Sequence, residues 1–345
     1  MSQDTALKSI DMMFRSPSNA LKVEFQGGES LLNVPLMEFI VQEVIQRNLN
    51  YNRDVVFVIA TNLALLSEDV LTFAAKYSIL ISTSLDGPAD LHNANRPRQG
   101  NDSHQRTIEA IDRVRARLGK DRVGALMTTT SASLHRVKDI IDEYVQRDFR
   151  GIFLRPLSPY GFAIKTKSYH AYNEDQWLEF YFEGLDYIIQ LNLQGFYFTE
   201  FYAAMVLKKI LTPLAATYID LQNPSGIGIA AIVYNYDGEV YASDESRMLA
   251  EMNDSYFSLG NVYTHTYEQI FLSDKLLDTL DSTFTHSVPM CHWCAFEPFC
   301  GTDPVYHYAT QKDIVGKKPL SGFCKRNMAV FRGLIERMER AEIRE

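Results

Sequence analysis

The sequence predicts an α/β fold built on a parallel sheet, followed by a smaller α+β region. Three observations carry this reading. Short apolar runs alternate with amphipathic stretches of helical period through the first half; polar and glycine residues follow each run; and all four cysteines fall between Cys291 and Cys324. Strands are expected at Leu21–Phe25, Val55–Ala60, Ile79–Thr83, Val123–Thr128 and Ile152–Leu154, which are short apolar runs. Helices are expected near 4–14, 35–48, 67–77, 103–118 and 135–147, where apolar residues recur on one helical face. Strands joined by single helices run parallel, in a sheet closed or partly closed, with ligands at the C-terminal strand ends. Those ends carry Gln26-Gly27-Gly28-Glu29, Thr61-Asn62, Ser84-Leu85-Asp86-Gly87-Pro88, Thr129-Thr130 and Arg155-Pro156.

After about Gly161 the rhythm changes. Tyr172–Leu193 and Phe198–Ile210 read as helices, Ile227–Tyr241 as a hairpin turning at Asn235-Tyr236-Asp237-Gly238, and the segment from Lys325 onward as a charged helix. A domain boundary is expected between 165 and 195.

A length of 345 residues suffices for a sizeable core and suggests two domains. With 34 Lys and Arg against 43 Asp and Glu, the net charge is −9, and no basic run is present. A nucleic-acid partner is therefore not expected, since phosphate binding needs clustered cations. The N-terminus lacks a basic and apolar leader, and no segment approaches the roughly 20 apolar residues of a membrane span. A soluble, cytoplasmic protein without a membrane partner is expected.

The spacing Cys291-x2-Cys294-x5-Cys300, with Cys324 beyond, supplies four thiolates for a zinc ion or an iron-sulfur cluster. The other motifs each admit two readings. Gly27-Gly28-Glu29 is either a turn or a place where backbone approaches a ligand closely and a carboxylate meets an ammonium group. Ser84-Leu85-Asp86-Gly87-Pro88 alone reads as an ordinary turn, and Arg96 alone as surface charge. His92, His104 and His265 read as structural or exposed, and His292 as a spare zinc ligand beside four cysteines that already suffice.

Taken together, Phe25-Gln26-Gly27-Gly28-Glu29, Ser84-Leu85-Asp86-Gly87-Pro88 with His92 and Arg96, and the cysteine pattern resemble radical SAM enzymes with a SPASM C-terminal domain, such as anaerobic sulfatase-maturating enzymes. Phe14-Arg15-Ser16-Pro17-Ser18, Arg155–Ala163, Tyr234–Gly238 and Cys300–Val305 look most like the radical SAM maturase of the His-Xaa-Ser peptide system. The resemblance spans nearly the whole chain. It implies a partial (β/α)6 barrel missing its first strand over residues 1–165, a helical connection over 166–225, and a SPASM-like α+β iron-sulfur domain over 226–345.

The resemblance also implies the chemistry. S-adenosylmethionine would be cleaved reductively to a deoxyadenosyl radical that abstracts hydrogen from a ribosomally made peptide or protein, with a reductant and a partner maturase as further partners. Gly28 and Glu29 would meet the cofactor's amino group, Ser84, Arg96 and Ser158 would hold it elsewhere, and Gln26, Gly27, Thr61 and Asn62 share the rim. Ser30 stands where relatives usually have proline.

Two departures stand out. The family's Cys-x3-Cys-x2-Cys loop has no counterpart here, since no cysteine precedes Cys291; a missing N-terminal segment is expected, from a misplaced start or a gene fragment, with a degenerate homologue as the alternative. Second, Ser243 and Pro304 occupy positions that are cysteines in a second auxiliary cluster, so a single 4Fe-4S cluster on Cys291, Cys294, Cys300 and Cys324 is expected. Asp244 matches the catalytic proton acceptor of the sulfatase-maturating relatives, or is a solvated turn residue. A radical SAM oxidoreductase, a catalytically silent peptide- or partner-binding subunit, and a structural four-cysteine zinc protein are the three functions weighed.

Overall fold

The structure, a computed structural model, describes residues 1–161, 173–213 and 218–340. The expected helix start at Tyr172, the Phe162-Ala163 end of the Arg155–Ala163 phrase and the expected boundary at 165 lie outside them. The chain forms two compact units, one of residues Met1–Ser133 and Lys138–Phe153, the other of Leu134–Val137 and Leu154–Glu345.

The first unit is a βα repeat. In order come α1 (Gln3–Phe14), β1 (Ala20–Phe25), α2 (Val34–Asn48), β2 (Asp54–Ala60), α3 (Glu68–Lys76), β3 (Leu80–Ser84), α4 (Ala89–Asn95), α5 (Ser103–Leu118), β4 (Val123–Leu126), α6 (Val137–Gln146) and β5 (Gly151–Ile152). The first four strands form one parallel sheet in the order β1-β2-β3-β4. Its register aligns Phe25 with Ile59, Ile59 with Ile81, and Ile81 with Val123. Along β2 to β4 burial alternates, with Phe57, Ile59, Ile81, Thr83, Val123 and Ala125 inward, while Val56 and Leu126 stay exposed. A parallel sheet usually buries both faces and reads as continuous apolar runs; here one face takes the larger share of the packing. The α1–α2, α3–α5 and α4–α5 pairs pack together, and Ser2 and Ser67 cap α1 and α3 by accepting from Thr5 N and Val70 N.

The second unit holds α7 (Glu174–Leu193), β6 (Thr199–Glu200), α8 (Phe201–Leu211), β7 (Val233–Tyr234), β8 (Glu239–Tyr241), α9 (Asp244–Ala250), β9 (Ser258–Asn261), α10 (Tyr267–Phe271), α11 (Asp274–Ser282), α12 (Pro304–Gln311) and α13 (Gly322–Glu339). Trp177, Phe180 and Tyr181 of α7, Val206 of α8 and Val330, Phe331 and Leu334 of α13 form its core. Arg337 locks α13 to α7 through a two-pronged bond to Asp186, at 2.6 and 2.8 Å. The fully buried Glu200 carboxylate accepts from Leu154 N, Ala203 N and the Tyr181 hydroxyl, which satisfies a group that would otherwise be costly to bury.

The expected hairpin forms, with Val233 opposite Tyr241 and Gly238 at φ +88° in the turn. The sequence reading stopped there, whereas β9 adds a third antiparallel strand against β8. Among the described residues no helix is long and apolar enough to cross a membrane.

Candidate functional site

Several expected cofactor residues meet at the C-terminal ends of β1 and β2. Glu29, half-buried, caps a short 3-10 turn by accepting from Leu31 N at 3.0 Å. The Thr61 hydroxyl donates to the same carboxylate at 2.5 Å and Asn62 N at 3.0 Å. Asn62 is itself fixed, its Oδ1 accepting from Ala64 N. The glycine motif and the Thr-Asn pair, 32 residues apart in Glu29 and Thr61, are thus one polar constellation. Ser30, at the position where relatives usually have proline, donates its hydroxyl toward the carbonyls of Phe25 at 3.0 Å and Ala60 at 2.8 Å and ties the two strand ends together. Gln26 is exposed and donates to Glu24. Above Gly27 and Gly28 a Cβ would meet nothing within 4 Å, so the space over this turn is open.

The next strand end is organised by Asp86. This 2 % exposed carboxylate binds Arg96 in a two-pronged pair, at 2.7 and 3.1 Å, and accepts from Thr128 N. Its own backbone N–H donates to Nδ1 of the buried His92. Burial lowers the His92 pKa to about 4 despite the nearby Asp86 charge, so His92 is a neutral acceptor. Arg96 is therefore not free surface charge but an aimed guanidinium, with Asp86 as the positioning carboxylate that the sequence reading treated as a turn residue. Ser84 ends β3 half-buried. His104 lies 2.9 Å from Glu143, which also accepts from Arg147; both histidines are structural, and His265 is exposed.

In the second unit the four cysteines are unpaired by disulfides and half-buried. Cys294 N donates to Cys291 O across the tight turn, and Cys324 stands in the first turn of α13, its N–H capped by Ser321. Burial raises the Cys291 thiol, with charge on Cys324 and Cys294 adding to the rise; burial pushes Cys300 up to about 12, opposed by the Asn327 amide. The four thiols therefore lie within electrostatic reach of one another. Lys318, 6 % exposed, was not anticipated. Burial lowers its pKa while the three thiols Cys291, Cys324 and Cys300 oppose that effect. Its Nζ donates to Val315 O and lies 3.3 Å from His307 Nε2. A thiol-rich donor set beside a buried cation fits a thiolate-bound cluster, whose negative charge Lys318 would offset. Among the described residues, no three His, Cys, Asp or Glu side chains converge as ligands of one metal ion.

Ser158, expected at the cofactor, instead lines a cavity of this same unit, together with Asp220, Glu245 and Asp303. Asp244 does not line it. That residue starts α9 after the Ser243 capping box and pairs with Arg247 at 3.0 Å, its side chain 28 % exposed. His292 is exposed against Trp293.

No protein-family model matches the chain. It is 25 % identical over 287 residues to a cysteine-type anaerobic sulfatase-maturating enzyme of Clostridium perfringens (strain 13 / Type A), covering 78 % of this chain and 70 % of that protein. The namesake of Clostridium novyi (strain NT) is likewise 25 % identical, over 80 % of this chain and 71 % of its own. The solved structure of native anSMEcpe with bound AdoMet and Kp18Cys peptide shares the fold with a TM-score of 0.78 at 17 % identity, covering 99 % of this chain and 91 % of that one. The α/β architecture with its parallel sheet is thus that of these enzymes.

Proposed function

We propose that the chain is a radical SAM maturase acting on a side chain of a ribosomally made peptide or protein, of the His-Xaa-Ser type that the sequence phrases suggest. The observation that carries this reading is the Glu29–Thr61–Asn62 constellation beneath an open glycine turn, in a chain related to sulfatase-maturating enzymes. S-adenosylmethionine, when bound and reductively cleaved, supplies the radical that takes hydrogen from the substrate. This chain's residues do the rest of the work. The Gly28 backbone gives the ligand access, Glu29 holds the rim of β1 against β2, and Arg96, aimed by Asp86, offers its remaining N–H groups to a carboxylate. Ser84 is a further hydroxyl contact in this reading. Asp244 is the proton acceptor in this reading, its carboxylate positioned by a 3.0 Å ion pair with Arg247.

Cys291, Cys294, Cys300 and Cys324 are the ligands of one 4Fe-4S cluster. Cysteine-only ligation serves zinc and iron-sulfur clusters alike, so the choice of iron rests on the resemblance to radical SAM enzymes with a SPASM domain. Anaerobic reconstitution with iron and sulfide should give about four irons per chain, and a Cys324→Ser variant should lose most of them. Stoichiometric zinc with no iron uptake would return the site to the structural zinc reading.

The absence of cysteine from the first 290 residues favours a second reading, in which the chain binds peptide or a partner maturase without turnover. The 345-residue chain should not cleave S-adenosylmethionine under dithionite, and a longer chain bearing a Cys-x3-Cys-x2-Cys loop should. Deoxyadenosine from the short chain would refute the first expectation; none from the longer chain would select the silent subunit.

A further inference from the structure

The second unit encloses a cavity of about 50 Å³ whose wall joins Tyr160, Asp220, Glu245 and Asp303 to Arg155 and Arg326. The three carboxyl groups come from separate segments: Asp220 from a 3-10 turn, Glu245 from the start of α9, and Asp303 from the cap of α12. Arg326 donates to Glu174 at 2.6 Å and lies over the Tyr306 ring, and its charge also reaches Asp220 and Asp303. Two guanidinium groups, Arg155 and an Arg326 shared with Glu174, therefore stand against three carboxyls.

An independent observation points the same way. Tyr160 is 6 % exposed, and its buried hydroxyl has no hydrogen-bond partner among the described residues. Burial raises its pKa, and the charges of Asp303, Glu245 and Asp220 add to the rise, which places that hydroxyl among the acids. A buried hydroxyl left unpaired is costly and is usually satisfied by water or a ligand. Burial also lifts Asp220 to about 6, with Glu245 adding its repulsion, and raises Asp303 in the same manner. Asp220 and Asp303 thus take up protons more readily than ordinary carboxyls, and an incoming cation would favour their ionised forms.

We propose that this cavity is a subsite for one protonated nitrogen group, an alkylammonium or guanidinium carried by a side chain of the modified peptide, held between the Tyr160 hydroxyl and the Asp220, Glu245 and Asp303 carboxyls. The choice of a peptide as source rests on the maturase reading; the cation chemistry does not. A water takes about 10–15 Å³ on this volume scale, so the space suits a side-chain head group and not a whole residue. The lack of convergence on a single point favours an organic cation over a bare metal ion.

The test is calorimetric titration of the full chain with methylammonium and with methylguanidinium chloride, at constant ionic strength, in two buffers of different ionisation enthalpy. Saturable binding of either probe with net proton release is expected, weakened about tenfold or more by Asp220→Asn and measurably by Tyr160→Phe, which removes one oxygen and serves if the first variant does not fold. Absence of saturable binding of both probes, or binding that neither folded variant weakens, would overturn the proposal and leave a water-filled cavity. Peptides carrying lysine, arginine or norleucine then compete against the bound probe. Competition by the basic peptides alone supports the peptide source. Probe binding without peptide competition removes that source while the cation site stands, and the maturase reading is judged separately by peptide modification.

Discussion

Gly27 and Gly28 are adjacent in sequence yet under different constraints. Gly27 has φ +156°, at the limit of the region other residues resist, whereas no positive φ constrains Gly28 and a Cβ there would point into open space. Gly28→Ala should therefore change unfolding free energy by no more than about 0.5 kcal/mol while weakening S-adenosylmethionine binding, because the added methyl fills the approach to the turn. Urea titration and equilibrium dialysis read the two effects separately. Weaker stability with unchanged binding would return the motif to a plain turn. The sequence revealed these glycines because strand ends advertise themselves. It concealed the partners of Asp86, since nothing in Asp-Gly-Pro announces a guanidinium ten residues downstream, and it concealed the cavity acids, because Asp220, Glu245 and Asp303 follow no spacing rule.

At the scale of elements, the expected helices and strands of the first unit all fall within two residues of their observed ends, because each is long or regular enough for its period to show. The ends differ where periodicity fades: β4 stops at Leu126, short of Thr128, and β5 at Ile152, short of Leu154. Helix α4 went unread, being seven residues directly after Pro88, and so did β9, whose Ser-Leu-Gly-Asn has no alternation. The placement of α4 makes a pH prediction. His92 on α4 has its pKa lowered to about 4 by burial, from an ordinary 6.5. As pH falls through that window the unfolded chain binds a proton that the folded chain refuses, so this residue's contribution to stability falls with pH. Asp220, raised to about 6 from 3.8, acts in the opposite sense, since the folded chain takes up its proton first. The diagnostic quantity is therefore a difference. His92→Asn, which preserves an acceptor for Asp86 N, should be less stable than wild type at pH 7 and should close that gap as pH falls to 4.5. Chemical denaturation at several pH values measures it, and a pH-independent gap would mean that burial of the imidazole does not control the effect.

For the molecule as a whole, the path of the sheet has a practical outcome. Strand β1 lies at one end of the β1-β2-β3-β4 order, and in the 345-residue chain, among the described residues, one row of its backbone groups has no strand beside it. Such a row is a template for intermolecular pairing. The strand alternates Leu21, Val23 and Phe25 with Lys22 and Glu24, and those two charges form a 2.6 Å ion pair, Lys22 being 64 % exposed. An ion pair this open adds little to folding stability. Its value lies in colloidal behaviour, because docking a second chain along β1 would bury two charges. Lys22→Val with Glu24→Val should leave the melting temperature nearly unchanged yet shorten the lag before light scattering rises in concentrated, warmed protein. Equal lag times would assign protection of that edge to something other than its charges, and the solubility of the purified chain would then depend on a different part of its surface.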